Sequence, residues 1–275
     1  MTPECVWQVE TELGEGPLWA ASERALWFVD IKKRHIHRFD PQTGAKRTFD
    51  APSSSGFLAP RGDGFIAGLQ DGLYRFDPKD GSFSLLHRVD ADRPGNRIND
   101  GALDAKGRLW FGTMDNGESE STGRLYRLDA GGPTVVDSGI CITNGPCSSP
   151  DGKTFYHTDT LKKTIYAYDL GDDGSLSNKR VWVTIEDGAG YPDGSIVDAQ
   201  GCIWVGLFAG WAARRYSPQG KLISTVRFAC ANITKLAFAE SGTVYATTAW
   251  KGLDAKARAE QPLAGGLFRF ESGIV

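Results

Sequence analysis

Six positions along this chain, each eight residues before the end of a polar turn, include four side chains that carry oxygen ligands. The positions are Glu15, Gly56, Asn99, Asn144, Asp193 and Thr234, and the turns end at residues 23, 64, 107, 152, 201 and 242. Because an even offset preserves the side-chain phase along a β-strand, we expect the six positions to be equivalent in repeated units. Two carboxylates and two carboxamides would then meet in one volume.

These oxygen atoms, without thiolate or imidazole groups among them, suit a hard divalent cation. If Glu15 and Asp193 faced each other unpaired, they would repel, and one would take up a proton unless a cation lay between them. The pattern leaves the ion open among Ca²⁺, Zn²⁺, Mn²⁺, Mg²⁺ and Fe²⁺. The alternative is that these polar groups satisfy internal waters or backbone groups. The common register of the whole set favours the metal site.

The segment NRINDG (residues 96–101) places Arg97 two residues before Asn99, on the same face of the predicted strand. A guanidinium group beside a metal site can hold substrate hydroxyls or a developing oxyanion. The alternative for Arg97 is a salt bridge with Asp100 or with an acidic loop. Asp100 itself is predicted to orient a metal ligand or Arg97. Three loops, 115–122, 184–191 and 250–264, are expected to surround the same site, and Tyr191 and Lys235 are predicted to line it.

A repeated pair of strands must position these residues. The pairs are ALWFVDI with HIHRFDPQTG, GFIAGLQ with GLYRFDPKDG, RLWFGTM with GRLYRLDAGG, TFYHTDT with TIYAYDLGDDG, CIWVGLF with RRYSPQG, and TVYATTA with GGLFRFES. These units lie about 40 to 50 residues apart, which is typical of a four-stranded propeller blade. The last unit lacks an outer strand, so we expect residues 5–10 to close the ring there. The pattern predicts an all-β, six-bladed propeller as one domain over residues 1–275, with a turn or two of helix at most in residues 253–261.

Composition excludes several classes of partner. A net charge of −3 and a pI near 5.9 argue against nucleic acid and against an anionic membrane, because both require a basic surface. No stretch approaches the apolar length of a membrane span, and the N-terminus has no signal-peptide pattern. Five cysteines without a C-x-x-C pair predict free thiols in a reducing compartment. We expect a cytoplasmic monomer.

Four motifs follow one another along the chain: LGEGPLW, RINDGALDAKGRLWFGTM, CITNGPCSSPDGKTFYHTDT and YPDGSIVDAQGCIWVGLFAG. In this order they resemble the regucalcin/gluconolactonase (senescence marker protein) family. The segments CITNGP, HTDTLKKTIYAYDL and NITK look most like its bacterial xylonolactonase-type sugar lactonases. The resemblance implies a propeller with one divalent metal bound by Glu15, Asn144 and Asp193. It also implies that Asp193 is the general base and that Arg97 and Asn99 contact substrate, whereas the register alone would make Asn99 a metal ligand.

In some members of that family a glutamate contacts the sugar, and its place falls near Gly117 here. Glu118 and Glu120 both lie close by, so Glu118 is the candidate for substrate binding and Glu120 the alternative. The reaction implied is hydrolysis of xylono-, arabinono- or gluconolactone, with the metal polarising the lactone carbonyl and Asp193 assisting the attack of water. The four residues Glu15, Asn99, Asn144 and Asp193 are called the oxygen ring below. Two other functions fit it: a promiscuous metal-dependent phosphotriesterase or arylesterase, and a non-catalytic calcium-binding propeller.

Overall fold

The computed structural model describes residues 2–274 and consists almost entirely of β-strands. These residues form 24 strands, a 3₁₀ turn at Glu240–Gly242 and a short helix, α1, at Ala255–Glu260. The strands form six separate antiparallel sheets of four strands each. The predicted six-bladed β-propeller is therefore confirmed.

Each blade runs from an innermost strand at the central channel to an outermost strand at the rim, and the first three blades take their strands in chain order. Blade 1 contains β2 to β5, at Gly14–Ala20, Ala25–Asp30, His35–Phe39 and Lys46–Asp50. Blade 2 contains β6 to β9, at Ser55–Arg61, Gly64–Leu69, Gly72–Asp77 and Ser82–Arg88. Blade 3 contains β10 to β13, at Asn96–Leu103, Leu109–Asp115, Gly123–Asp129 and Gly132–Ile140.

Blades 4 and 5 repeat this order, and blade 6 departs from it. Blade 4 contains β14 to β17, at Thr143–Ser148, Thr154–Asp159, Thr164–Leu170 and Leu176–Thr184. Blade 5 contains β18 to β21, at Tyr191–Val197, Ile203–Phe208, Ala212–Tyr216 and Leu222–Arg227. Blade 6 contains β22 to β24, at Asn232–Phe238, Thr243–Ala249 and Leu267–Glu271, and takes its outermost strand, β1 at Glu4–Trp7, from the start of the chain.

The pairing of β1 with β24 closes the ring as predicted. Cys5 lies opposite Phe268 across this antiparallel pair. The strand is shorter than the predicted segment 5–10, because the chain has already left the sheet at Glu10, where φ is +58°. Closure in this way covers the edge of β24 that would otherwise be unpaired.

An aromatic residue near the start of the second strand of every blade fills the space between neighbouring blades. The six side chains are all buried: Trp27, Phe65, Trp110, Phe155, Trp204 and Tyr245. Trp27 and Phe65 meet with ring centroids 4.9 Å apart, and Trp110 and Phe155 meet at 4.4 Å, each pair joining two blades. Burial of each such ring contributes about 1.5–3 kcal/mol, so these contacts hold the innermost strands at fixed positions around the channel.

The pairing of the innermost strand with the second strand breaks at the same place in every blade. The irregular steps lie between residues 15 and 18, 55 and 57, 98 and 100, 144 and 147, 192 and 195, and 233 and 236. Each step includes or adjoins one of the six positions found in the sequence. Because a bulge bends the strand and redirects a side chain, this repeated irregularity turns those six residues toward the channel.

Outside the blades, the longest loop carries the short helix. Asp254 caps α1 by accepting a hydrogen bond from the Ala257 backbone N–H (2.8 Å). Over residues 2–274, no helix has the length and hydropathy needed to cross a bilayer. The five cysteines are free thiols, and Cys5 is the one that is not fully buried.

Candidate functional site

A cavity of about 180 Å³ lies at one mouth of the channel, and it brings together the residues singled out in the sequence. Its lining includes six of them: Glu15, Arg97, Asn99, Glu118, Asn144 and Asp193. Asp100 does not line it. The two remaining register positions, Gly56 and Thr234, supply no side chain to it, since one is glycine and the other donates its hydroxyl proton to Gly14 O (2.5 Å).

Four innermost strands deliver the four oxygen-bearing residues from blades 1, 3, 4 and 5. Glu15 lies on β2, Asn99 on β10, Asn144 on β14 and Asp193 on β18, and each is at most 5% exposed. Polar side chains buried to this degree require partners, because an unpaired buried donor or acceptor is destabilising by about 1–3 kcal/mol. The hydrogen-bond partners of each residue therefore show which of its polar atoms remain available to a ligand.

The Asn-Gly-Pro sequence at Asn144 is part of a strand and not of a hairpin turn. Asn144 pairs with Thr158 of the second strand, and the register then breaks before Cys147. Gly145 has φ of +56°, a conformation that other residues rarely adopt. The glycine therefore allows the bulge that presents the Asn144 amide to the cavity.

A chain of hydrogen bonds fixes the orientation of both amides. Arg97 Nη1, which can only donate, donates to Asn99 Oδ1 (2.6 Å), so Asn99 Nδ2 must be the atom that donates to Asn144 Oδ1 (3.0 Å). Asn144 Nδ2 in turn donates to Thr160 Oγ1 (3.0 Å), whose own proton goes to the Pro192 carbonyl (2.9 Å). The Asn144 oxygen thus keeps one lone pair free.

The carboxyl groups of Glu15 and Asp193 lie within hydrogen-bonding reach of each other. Burial, followed by the charge of Asp100, raises the pKa of Glu15 from 4.5 to about 7. Burial, followed by the charge of Glu15, raises the pKa of Asp193 well above its usual value. Two ionised carboxylates here repel each other, so the site favours either a bound proton or a cation.

Arg97 is buried at the cavity wall. Among residues 2–274 it forms neither of its alternative salt bridges, with Asp100 or with the acidic loop 115–122. Burial lowers the pKa of its guanidinium to about 10, so it stays charged at neutral pH. Besides Asn99, Nη1 reaches the Ile98 carbonyl (3.3 Å). Within residues 2–274, its buried Nε has no hydrogen-bond partner. A charged group therefore lies at the wall.

At the mouth of the cavity the loop acid that reaches the lining is Glu118, whereas Glu120 is exposed and lies outside it. Glu118 forms an ion pair with Lys251, which the sequence analysis did not identify. Lys251 belongs to the long loop 250–264, whose lack of periodicity gave no signal for a particular side chain. Glu118 has φ of +58°, so a backbone turn sets which of the two acids faces inward.

The predicted placement of Lys235 is wrong, and that of Asp100 is refined. Lys235 lies outside the cavity and forms a buried ion pair with Asp100 (Nζ to Oδ1, 2.5 Å). Asp100 contacts neither Arg97 nor a candidate ligand directly. Its Oδ2 instead accepts a hydrogen bond from the Gly145 backbone N–H (2.8 Å), next to Asn144. Tyr191 lines the cavity, as predicted.

The upper walls of the cavity are mainly apolar, which the polar motifs did not reveal. The apolar lining consists of Leu13, Met114, Ile142, Leu161 and Phe208. These side chains shield the oxygen ring from bulk water, and charge interactions there are stronger than in solution.

No group of three or more histidine, cysteine, aspartate or glutamate side chains within residues 2–274 is arranged to hold a metal ion. The candidate set has a different composition, since Glu15 and Asp193 are its two acids and its third member is the amide of Asn144. Oxygen donors of this mixed kind are those that hard cations accept.

Replacement of Glu15 by glutamine should stabilise the metal-free protein at neutral pH. In the wild type the folded-state pKa of Glu15, about 7, exceeds the ordinary 4.5, so the folded state binds the extra proton and stability falls as pH rises between these values. We expect Glu15→Gln to match the wild type near pH 4 and to exceed it by about 3 kcal/mol above pH 7.

The measurement is urea unfolding in excess chelator from pH 4 to pH 8. His37 and His157, whose pKas burial lowers to about 3 and about 4, contribute the opposite slope to both proteins. The quantity to compare is therefore the difference between variant and wild type. A difference that stayed constant over this pH range would show that Glu15 carries no raised pKa.

Comparisons with known proteins agree with this fold. The family profile described as "SMP-30/Gluconolactonase/LRE-like region" matches residues 13–250. Over 272 residues the chain is 32% identical to a 6-deoxy-6-sulfogluconolactonase of Pseudomonas putida, covering 97% of this chain and 94% of that protein. Over 279 residues it is 33% identical to the regucalcin of Bos taurus, with coverage of 97% and 93%.

Among solved structures, a calcium-binding regucalcin from Agrobacterium tumefaciens superimposes with a TM-score of 0.93 at 29% identity. The match covers 98% of this chain and 92% of that one. The family profile and the two relatives each span most of the chain, so the four motifs did identify the family. The chain belongs to the SMP-30/gluconolactonase/LRE-like family.

Proposed function

We propose that this protein is a sugar lactonase that hydrolyses an aldonolactone to the aldonic acid, with one divalent cation held by Glu15, Asn144 and Asp193. The observation that carries the proposal is the pair of buried carboxyl groups beside an oriented amide oxygen in the cavity. The name of the Pseudomonas putida relative, a lactonase, supports the substrate class. Xylono-, arabinono- and gluconolactone are the candidate substrates.

The donor set fits a divalent cation in charge and in orientation. Glu15 and Asp193 together supply two negative charges, and each raised pKa reflects a charge that lacks compensation. Asn144 Oδ1 has a lone pair left after its bond from Asn99. When bound, such a cation supplies Lewis-acid polarisation of the lactone carbonyl.

Asp193 is proposed to act as the general base. In this role its carboxylate takes a proton from the water that attacks the carbonyl carbon of the lactone. The ring C–O bond then breaks, and the proton passes to the ring oxygen, which leaves as a hydroxyl of the aldonic acid. The strand position of Asp193 is held by the bond from Thr160 to the carbonyl of Pro192 (2.9 Å).

Arg97 and Asn99 are proposed to hold the substrate, in different ways. Arg97 belongs to the cavity lining and carries a guanidinium that can only donate, so it can donate to a substrate oxygen. Asn99 has both amide protons engaged, with Thr143 O (2.7 Å) and Asn144 Oδ1 (3.0 Å). It can therefore contact the substrate only by accepting a hydroxyl proton at Oδ1.

A metal-dependent arylesterase or phosphotriesterase is a second candidate, and the apolar wall favours it. Leu13, Met114 and Phe208 offer an aryl or alkyl group a surface that a polyhydroxy lactone does not need. A non-catalytic calcium-binding propeller is a third candidate, because the Agrobacterium tumefaciens relative is a calcium-binding protein.

Lactonase activity before and after chelation, with single metals added back, tests the proposed function. We expect hydrolysis of xylono-, arabinono- or gluconolactone only with a divalent cation present. Asp193→Asn keeps the shape of the side chain but removes the base, so kcat should fall by about 100-fold or more with any metal. Asp187→Asn is the matched control, since Asp187 is fully exposed in a rim loop.

Four outcomes would contradict the proposal. Hydrolysis that chelation leaves intact would exclude the metal, and wild-type turnover by Asp193→Asn would exclude Asp193 as the base. Faster hydrolysis of a phosphotriester or aryl ester than of every lactone would support the second candidate. Calcium binding without any turnover would support the third.

The two loop acids provide a matched pair of variants for the substrate contact. Glu118→Gln removes a carboxylate from the cavity mouth, and we expect KM for the lactone to rise about tenfold, because a hydrogen bond to a charged group is worth about 1.5–3 kcal/mol. Glu120→Gln changes an exposed residue of the same loop and should leave KM unchanged. Steady-state kinetics on one lactone compares them. Equal KM values for the two variants would mean that Glu118 does not contact the substrate.

A further inference from the structure

The ion pair between Asp100 and Lys235 crosses the channel. Asp100 lies on blade 3 and Lys235 on blade 6, which are opposite blades of the six-membered ring. The two side chains are 1% and 7% exposed, and Lys235 Nζ lies 2.5 Å from Asp100 Oδ1. A side-chain contact therefore joins two strands that no backbone pairing connects.

Asp100 also joins blade 3 to blade 4. Its Oδ1 accepts from its neighbour Gly101 N (2.7 Å), and its Oδ2 accepts from Gly145 N (2.8 Å). Gly145 directly follows Asn144, the amide proposed to bind the cation. Both carboxylate oxygens are thus engaged, and one of them holds the backbone next to a proposed ligand.

The stem of Lys235 packs against blade 5 at Gly194. A Cβ placed on Gly194 would lie 2.4 Å from Lys235 Cγ and 2.6 Å from Lys235 Cβ. Such distances leave no room for a side chain, so the lysine stem lies directly on the backbone that follows Asp193. The same ion pair therefore contacts the neighbours of two proposed ligands.

The ion pair also lies where the channel passes from one cavity to another. Below the site is a second cavity of about 540 Å³, with Lys235 in its lining. Along β10, Asn99 lines the upper cavity and Gly101 the lower one, so Asp100 lies at the crossing. Along β18, the lining changes in the same way between Asp193 and Ser195.

We propose that Asp100 and Lys235 are positioning residues for the oxygen ring. Their ion pair sets the spacing of the strands that carry Asn144 and Asp193, and it closes the channel beneath them. The inference rests on the proposed function for what the ring binds. Removal of one partner alone would also change the charge near the ring, so the test requires a variant in which net charge is conserved.

The double variant Asp100→Asn/Lys235→Met conserves net charge and removes the ion pair. We expect its dissociation constant for Mn²⁺, measured by calorimetry, to rise about tenfold or more, which is typical when outer partners of metal ligands are lost. Its kcat/KM for the lactone should fall in parallel. The matched control is Asp198→Asn/Arg215→Met, the same change at a buried ion pair (2.8 Å) away from the ring, where side chains are 1% and 12% exposed.

The control should have a lower Tm but the Mn²⁺ affinity of the wild type. Wild-type affinity in the first double variant, or an equal loss in both, would overturn the inference. If the first variant does not fold, Lys235→Met alone decides. Its charge change by itself favours a cation, so a fall in Mn²⁺ affinity would support the inference and unchanged or higher affinity would overturn it. A wild type that neither binds Mn²⁺ nor hydrolyses lactones would instead overturn the proposed function itself.

Discussion

The burial of two carboxyl groups within hydrogen-bonding reach of each other is the constraint on which the site depends. Ionised carboxylates in such a place repel each other and lose their hydration. The nearby cations do not pair directly with them: Lys235 pairs with Asp100, and Arg97 donates to Asn99 and to a backbone carbonyl. The negative charge of Glu15 and Asp193 is therefore left available to a proton or a cation.

The propeller supplies the rigidity that this arrangement requires. Aromatic rings such as Trp110 and Phe155 lock neighbouring blades together, and the chain ends close the ring between β1 and β24. A bulge at the same place in each innermost strand then turns one residue per blade inward. The fold itself implies no function, since propellers serve many. Function is carried by which residue each blade places there.

Much of this could be predicted from the sequence because the blades repeat. A constant offset from each turn was enough to bring Asn144 and Asp193 together in one cavity. Asp100 and Lys235 each directly follow one of the six register positions, Asn99 and Thr234. The repeat therefore places them at one level of the channel, and this signal was missed. Lys235 was instead expected in the cavity.

The loops could not be predicted in this way. Lys251 reaches the cavity from the longest loop, and the choice of Glu118 over Glu120 depends on a positive φ at Glu118. Neither feature follows the repeat of the blades along the chain. Contacts between loops of different blades depend on backbone turns that only the folded structure defines.

The most direct measurement is X-ray diffraction from crystals grown with Mn²⁺, with data collected at a wavelength where manganese scatters anomalously. We expect one strong anomalous peak in the cavity, within about 2.0–2.6 Å of an oxygen from each of Glu15, Asn144 and Asp193. A cavity without a peak at saturating Mn²⁺, or a peak that none of these three oxygens contacts, would rule out the proposed metal site.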